Sequence, residues 1–318
     1  MTFHYHPLIL TSVLLFHGCL PFSGQLFGSD TFRVLTYNIR YANPGDGQDQ
    51  WENRKETVVQ TILDSDLVGL QEVLSRQQDY VTDNTPGWQW LAVGRDDGRQ
   101  RGEMCSIGWK SDKFTAIEQG TFWLSPSPYL IGKPGWDAAL PRIASWVRLI
   151  PRTVSDDGSL TNVSNQIPTD VSDLPKESTF VASILLVNTH FDHRGSEARR
   201  QSAALLRGWI AEHRGASQVL LIGDLNAQVG SPPLNELLVP DVSEHPAVFD
   251  ARDHSKSPDT GPDSTWNGFR EIVPGQRIDH VLFLGDSLTV DSYQTLDPRT
   301  PEGRFASDHL PVMVEFRM

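Results

Sequence analysis

Acidic, amide and imidazole side chains recur where apolar runs stop. Asn38 follows RVLTY, Glu72 stands near the end of DLVGLQEV, and His190 follows ILLVNT. Asp224 and Asn226 follow VLLIG, Asp279 lies in RIDHVLF, and Asp308 and His309 precede LPVMVEF. Strand ends on a rigid scaffold are where loops bring reactive groups together. A carboxylate beside an apolar run is costly unless it is paired or bound to metal. Carboxylate and amide oxygens are the donors that hard divalent cations such as Mg²⁺ or Mn²⁺ prefer. With only two cysteines and no His-rich triad, a structural zinc site or a zinc hydrolase is disfavoured. No Gly-x-Ser-x-Gly elbow, phosphate-binding Gly-rich loop or dinucleotide fingerprint is present.

Each residue also has a plainer reading. Asp224-Leu-Asn226 can be a turn, because Asp and Asn bond their own backbone. Glu72 can open the following helix, where acidic residues are favoured. His190 can be a satisfied core histidine, and Asp279 can pair with nearby Arg277.

The elements that must position these groups are short. Phe32 to Tyr37 reads as a buried strand ending at Asn38. Trp51 to Leu63 has helical apolar spacing, and Asp66 to Val73 reads as a strand. A helical segment follows through Tyr80 to about Asn84. Gly102 to Trp109 and Phe114 to Leu124 read as antiparallel neighbours across the turn Lys110–Lys113. Residues 153–176 read as a polar loop insertion between strands. Phe180 to Asn188 reads as a strand, Ser196 to His213 as the best-patterned helix, and Gln218 to Gly223, Ile278 to Leu284 and Pro311 to Phe316 as further strands. No internal repeat interrupts the order. Antiparallel strands punctuated by helices predict packed sheets flanked by helices, from residue 31 to the end in one domain.

The net charge of −13 lowers the expectation of long duplex DNA as a partner, since that demands a basic face. Residues 1–24 carry no Asp, Glu, Lys or Arg, and their apolar run from Pro7 to Phe16 is of signal-peptide length. They predict a secretory leader and an extracellular protein; no later run resembles a membrane span. Cys105, among apolar neighbours, reads as a core thiol. Asn162-Val-Ser164 is a glycosylation sequon. A monomer is expected.

Taken in order, TYN, LQEV, NTH, GDLN, IDH and SDHLP resemble the endonuclease/exonuclease/phosphatase superfamily, the DNase I-like fold, over nearly the whole chain from Thr31. The stretches YNIRYANPGDGQDQWENRKE, GRDDGRQRGE, GTFWLS and NTHFDH resemble an often secreted or microbial subgroup near the deadenylase-like branch. The resemblance implies a four-layer α/β sandwich of two packed, mainly antiparallel sheets with outer helices. It implies metal-dependent hydrolysis of a phosphoester with Mg²⁺ or Mn²⁺. Glu72 would be the principal metal ligand, supported by Asn38, with Asp308 beside the metal or the leaving group. Asp224 would position or deprotonate the attacking water, while Asn226 and His190 would hold the phosphate. His309 would stabilise its developing charge, oriented by Asp279.

Around these motifs, Glu103, Arg142, Asp192 and His193 are placed to line a substrate pocket, as is Trp123. Trp51 and Arg54 read as anchors of the first helix, and residues 95–102 as a surface hairpin. His280 should face away from Asp279 across its strand. Two substrate classes follow: a small, sugar-linked or lipid-linked phosphoester, suggested by the acidic charge, or single-stranded nucleic acid with Trp123 and Trp136 as stacking surfaces. A non-catalytic binding protein that kept the fold is the remaining alternative.

Overall fold

The computed structural model describes residues 31–154, 160–161, 183–239 and 246–318. Chain order runs β1 (Thr31–Asn38), α1 (Lys55–Leu63), β2 (Leu67–Val73), α2 (Ser75–Asp83), β3 (Trp88–Leu91), β4 (Met104–Lys110), β5 (Phe114–Trp123) and β6 (Ile143–Pro151). It continues through β7 (Thr153–Val154), β8 (Leu160–Thr161), β9 (Ile184–His190), α3 (Ser196–His213), β10 (Gln218–Asp224) and α4 (Pro232–Leu238). The last strands are β11 (Phe249–Asp250), β12 (Asp279–Leu284), β13 (Thr289–Thr295) and β14 (Val312–Arg317). Two six-stranded sheets form, in the orders β13-β14-β1-β2-β4-β3 and β11-β12-β10-β9-β6-β5.

Continuous apolar strands need cover on both faces, and the four layers supply it. Val34, Leu67, Ile107, Val147, Leu186, Leu220, Val281 and Val314 fill the space between the sheets. Leu206, Ala203 and Ile210 of α3 and Leu234 of α4 cover the outer face of the second sheet, against Leu185, Val187, Val219 and Leu221. Val58, Val59 and Ile62 of α1 cover Leu35, Tyr37, Val68 and Leu70 of the first. This is the expected sandwich.

The sheets are mixed: β1 and β2 run parallel, as do β9 and β10, while their other neighbours are antiparallel. The parallel pairs matter because they bring two strand C-termini side by side. Asn38 lies opposite Gln71, and His190 opposite Asp224, in these registers. Antiparallel β12 begins with Asp279 opposite Asp224. One edge of the sandwich thereby collects the polar ends of five strands.

Two expectations on elements are corrected. β4 and β5 are not sheet neighbours: β4 pairs with β2 and β3, while β5 pairs with β6 in the other sheet. Both strands carry apolar faces that the inter-sheet core accepts, so the turn at 110–113 crosses between layers instead of closing a hairpin. The first helix starts later than Trp51, after a short 3₁₀ turn at Trp51–Asn53. Most of the 153–176 insertion, the leader, the Asn162 sequon and residues 180–182 lie outside the described residues. The described flanks of the insertion, β7 and β8, pair with each other antiparallel. No helix among the described residues is long and apolar enough to cross a membrane.

Candidate active site

Asn38 is fully buried at the end of β1. Its Nδ2 donates to Glu72 Oε1 (3.1 Å) and to Asp224 Oδ2 (3.0 Å), so it ties the two sheets together. Beneath it, Gln71 Nε2 donates to Asn188 Oδ1 (2.7 Å), and Asn188 Nδ2 donates to the carbonyls of Leu70 and Ser106. These bonds cross from one sheet to the other and help fix their relative position, although Gln71 Oε1 is buried without a partner.

Glu72 reaches the site through a backbone irregularity. Pairing between β2 and β4 shifts between Leu70 and Val73, and Glu72 takes a left-handed φ of 61°. A bulge re-aims a side chain, and here Glu72 Oε2 accepts from the Tyr41 N–H at 3.1 Å. Left-handed backbone at a residue other than glycine costs about 1–3 kcal/mol and persists only where its surroundings enforce it. Asn226 shows the same feature, with φ 46°. Gly223, just before Asp224, has φ 149°, and a Cβ there would stand 2.0 Å from the Thr189 carbonyl oxygen. The glycine of GDLN is therefore required by the close approach of β9 to β10.

Asp224 is the hub. Its Oδ1 accepts from the Asn226 N–H (2.9 Å), and its Oδ2 lies 3.3 Å from His190 Nε2 and 3.8 Å from His309 Nε2. Burial, then the neighbouring Asp279 charge, pushes its carboxyl up to about 7. His309 Nδ1 donates to Asp279 Oδ2 at 2.8 Å. Burial works against a charged His309, but Asp279 and Asp224 outweigh it and hold the imidazole protonated, well above its ordinary range. His190 goes the other way: burial, then Arg142 and Arg95, keep it neutral. Its Nε2 is also 3.1 Å from Asn226 Nδ2. Two histidines in one site thus carry different charges, set by their neighbours.

Asp308 lies 3.7 Å from Arg40 Nη1 and is pushed up by burial, with the Glu72 charge adding to it. Its carbonyl accepts from the Asn267 and Gly268 N–H groups. Arg54, buried under this region, donates to the carbonyls of Ile39, Arg40, Asp49 and Ala306. It anchors the loops that carry Asn38 and Asp308 as well as the first helix.

Of the four residues expected to line a pocket, Glu103 and Arg142 line a niche beside His190, whereas Asp192 and His193 lie behind Arg142 as its partners. Glu103 is held in a bidentate pair by Arg95 (2.8 and 2.9 Å). Arg142 Nε faces Asp192 Oδ2 at 3.3 Å, and its Nη2 is 2.9 Å from His193 Nδ1. A niche lined by Arg95, Glu103, Cys105, Arg142 and His190 lies between them. The larger concavity, around Gln89, Trp90, Ile117 and Glu118, contains none of these groups. Burial pushes the Cys105 thiol up to about 12, which leaves it an inert core residue.

Several plain readings are displaced. Arg277 pairs with Asp250 (2.8 Å), not with Asp279. His280 faces away as expected, its Nε2 against the Ala227 carbonyl. Trp123 is not a stacking surface: it is 5% exposed, with Nε1 donating to the Arg95 carbonyl. Trp136 is half-buried. The exposed aromatic beside the site is Trp266, bridged to His309 and 37% exposed. Neither it nor Thr265, whose Oγ1 accepts from the Ile278 and Asp279 N–H groups, lies in a periodic segment of the sequence. The only signal was the turn-forming Asn267-Gly268 that follows them.

The donor set suits a hard divalent cation. The carboxylates of Glu72, Asp224, Asp279 and Asp308 crowd one strand edge, and burial plus mutual repulsion raises Asp224 and Asp308. Among the described residues, ligand atoms of Asp224, Asp279 and His309 all lie within 4.8 Å of one another. His309 Nδ1 is bonded to Asp279 Oδ2, so that trio is a hydrogen-bonded dyad beside a carboxylate, with Asp279 Oδ1 buried and without a partner. Glu72, Asp308 and the Asn38 amide offer oxygen donors beside it, the chemistry that Mg²⁺ and Mn²⁺ select.

The Endonuclease/Exonuclease/phosphatase family model matches residues 35–309. An endonuclease/exonuclease/phosphatase from Bacteroides vulgatus is 31% identical, with 91% of this chain and 99% of that chain covered and a TM-score of 0.76. A mannosyl-6-phosphatase from Bacteroides thetaiotaomicron is 28% identical, covering 90% of this chain and 100% of that one, with a TM-score of 0.73. The catalytic domain of human Nocturnin shares the fold at 17% identity, with 92% and 96% coverage and a TM-score of 0.59. None of the curated proteins matches the chain.

Proposed function

Because this chain belongs to the Endonuclease/Exonuclease/phosphatase family, we propose that it hydrolyses a phosphate ester with Mg²⁺ or Mn²⁺, and that the ester is a small, sugar-linked one. The observation that carries the reading is the Asp224 hub: one buried carboxylate accepts from Asn38 and Asn226 and lies 3.3 Å from His190 and 3.8 Å from His309, and burial with the Asp279 charge pushes it up to about 7. A general base works best when its pKa lies near the operating pH.

Glu72, Asn38 and Asp308 would hold the cation. When bound, it supplies charge neutralisation on the phosphoryl oxygens. Asp224 orients a water and takes its proton. Asn226 and neutral His190 donate hydrogen bonds to the phosphoryl group. Protonated His309 faces the charge that develops there, and Asp279 fixes its ring and tautomer. Preorganised donors in a buried site act without reorganisation at the moment of reaction.

The arginines lining the site are each offset by a carboxylate: Arg40 by Asp46, Arg95 by Glu103 and Arg142 by Asp192. That balance favours a small ester over a polyanionic strand, and the mannosyl-6-phosphatase likeness points the same way. The exposed Trp266 beside His309 favours the second reading, a single-strand nuclease, through base stacking. Hydrolysis of p-nitrophenyl phosphate, bis-p-nitrophenyl phosphate, hexose phosphates and single-stranded oligonucleotides, with Mg²⁺ or Mn²⁺ and then EDTA, tests both. Metal-dependent turnover of the hexose phosphate supports the first reading. Oligonucleotide cleavage without it replaces the first by the second.

A further inference from the structure

Arg142 precedes β6 with a side chain 4% exposed. Its Nε and Nη2 are occupied by Asp192 and His193, but its Nη1 is buried without a partner. Arg95 Nε, on the same niche, is likewise buried without a hydrogen-bond partner. A buried guanidinium N–H left unpaired is costly, and in native proteins such a group calls for an explanation. The niche these residues line has room for about one water-sized group, about 10 Å³, and shares the wall formed by His190, which also touches Asp224. Arg95 Nε has a carboxylate, Asp96 Oδ1, at 3.9 Å, so Arg142 Nη1 is the donor left without a partner among the residues that line this flank of the reacting centre.

The occupant's chemistry follows from the opposite wall. Glu103 keeps acceptor capacity beyond its two bonds from Arg95, since a carboxylate offers about four lone-pair sites. A second phosphate or carboxylate on the substrate would meet that negative charge. A hydroxyl needs one donor and one acceptor, and Arg142 with Glu103 presents both. We propose that the niche between Arg142 and Glu103 binds a hydroxyl of the substrate's alcohol portion, which makes the enzyme selective for phosphate esters of polyhydroxylated alcohols. This rests on the phosphoesterase reading and names the group that selects its substrate.

The test compares kcat/KM of the metal-supplied full chain on mannose 6-phosphate, its 2-, 3- and 4-deoxy analogues, mannose 1,6-bisphosphate and propyl phosphate. Loss of a hydroxyl from a site built to bond it leaves the protein groups unpaired, so one deoxy analogue should fall by about 30-fold. Propyl phosphate should fall at least as far, and Arg142→Met should bring the mannose-to-propyl ratio to within about threefold. If all deoxy analogues match the parent sugar, if the bisphosphate is preferred, or if folded Arg142→Met keeps the parent ratio, the assignment is wrong. The parent-enzyme comparison decides the matter even where the variant does not fold. p-Nitrophenyl phosphate separates the two levels: turnover of it without hydroxyl discrimination removes only the niche, whereas no turnover of any ester removes the phosphoesterase reading and the niche with it.

Discussion

At the scale of single residues, the site is an exercise in placing like charges together. Asp224 and Asp279 stand at matched positions of β10 and β12, and His309 reaches both, 2.8 Å from Asp279 and 3.8 Å from Asp224. Neutralising one of them should relieve repulsion while removing the base. Asp224→Asn is expected to lower kcat by about 10²–10⁴-fold, and its metal-free melting temperature should equal or exceed the parent's. A variant that keeps a tenth of the activity, or that melts several degrees lower, would show that Asp224 is structural. Asp279→Asn tests the dyad. It leaves a ring partner but removes the charge that holds His309 protonated, and kcat should fall by about 10²–10⁴-fold without change in metal affinity by calorimetry. If calorimetry showed metal affinity collapsing with kcat, Asp279 would be a ligand instead.

At the scale of elements, the sites of reactive residues were legible because apolar runs end abruptly at them, and six short motifs in fixed order made the superfamily resemblance specific. The pairing was less so. Parallel β1–β2 and β9–β10 contacts join residues over thirty positions apart, which local alternation cannot reveal. β4 and β5 read as a hairpin because each alternates suitably and a turn separates them, yet burial on two sheets outweighed that local cue. Trp266 and Thr265 were passed over because their loop has no periodicity. The left-handed backbone of Glu72 was equally invisible, and it gives a test. Glycine ordinarily weakens a strand relative to alanine. At φ 61° the order should invert: Glu72→Gly should be more stable than Glu72→Ala by about 1 kcal/mol in urea unfolding, both lacking the carboxylate. The ordinary order, with alanine more stable, would mean that the bulge relaxes once the side chain is gone.

At the scale of the whole molecule, stability should depend on acid through a pair remote from the reaction. Asp250 on β11 lies 2.8 Å from Arg277, and His280 stands 3.9 Å away. Burial works to raise its carboxyl, but those neighbours outweigh it and hold it at about 2, below the ordinary 3.8. A depressed carboxyl stabilises the fold above its unfolded value and loses that contribution as pH falls towards the folded one. Asp250→Asn should therefore cost about 3 kcal/mol at pH 7, leaving Arg277 buried and unpaired. The gap between parent and variant should stay constant down to about pH 4 and narrow by about 2 kcal/mol towards pH 2. A gap independent of pH over that window would remove the ion pair as its cause.

If this strand edge gathers a cation for chemistry performed by Asp224, cation binding and turnover should separate at that residue. Mn²⁺ binding by calorimetry and p-nitrophenyl phosphate turnover, measured side by side for the parent and Asp224→Ala, test it most directly. Both proteins should bind Mn²⁺ and only the parent should turn over, with EDTA abolishing its activity. Undiminished turnover by Asp224→Ala, or by the parent in EDTA, would contradict it.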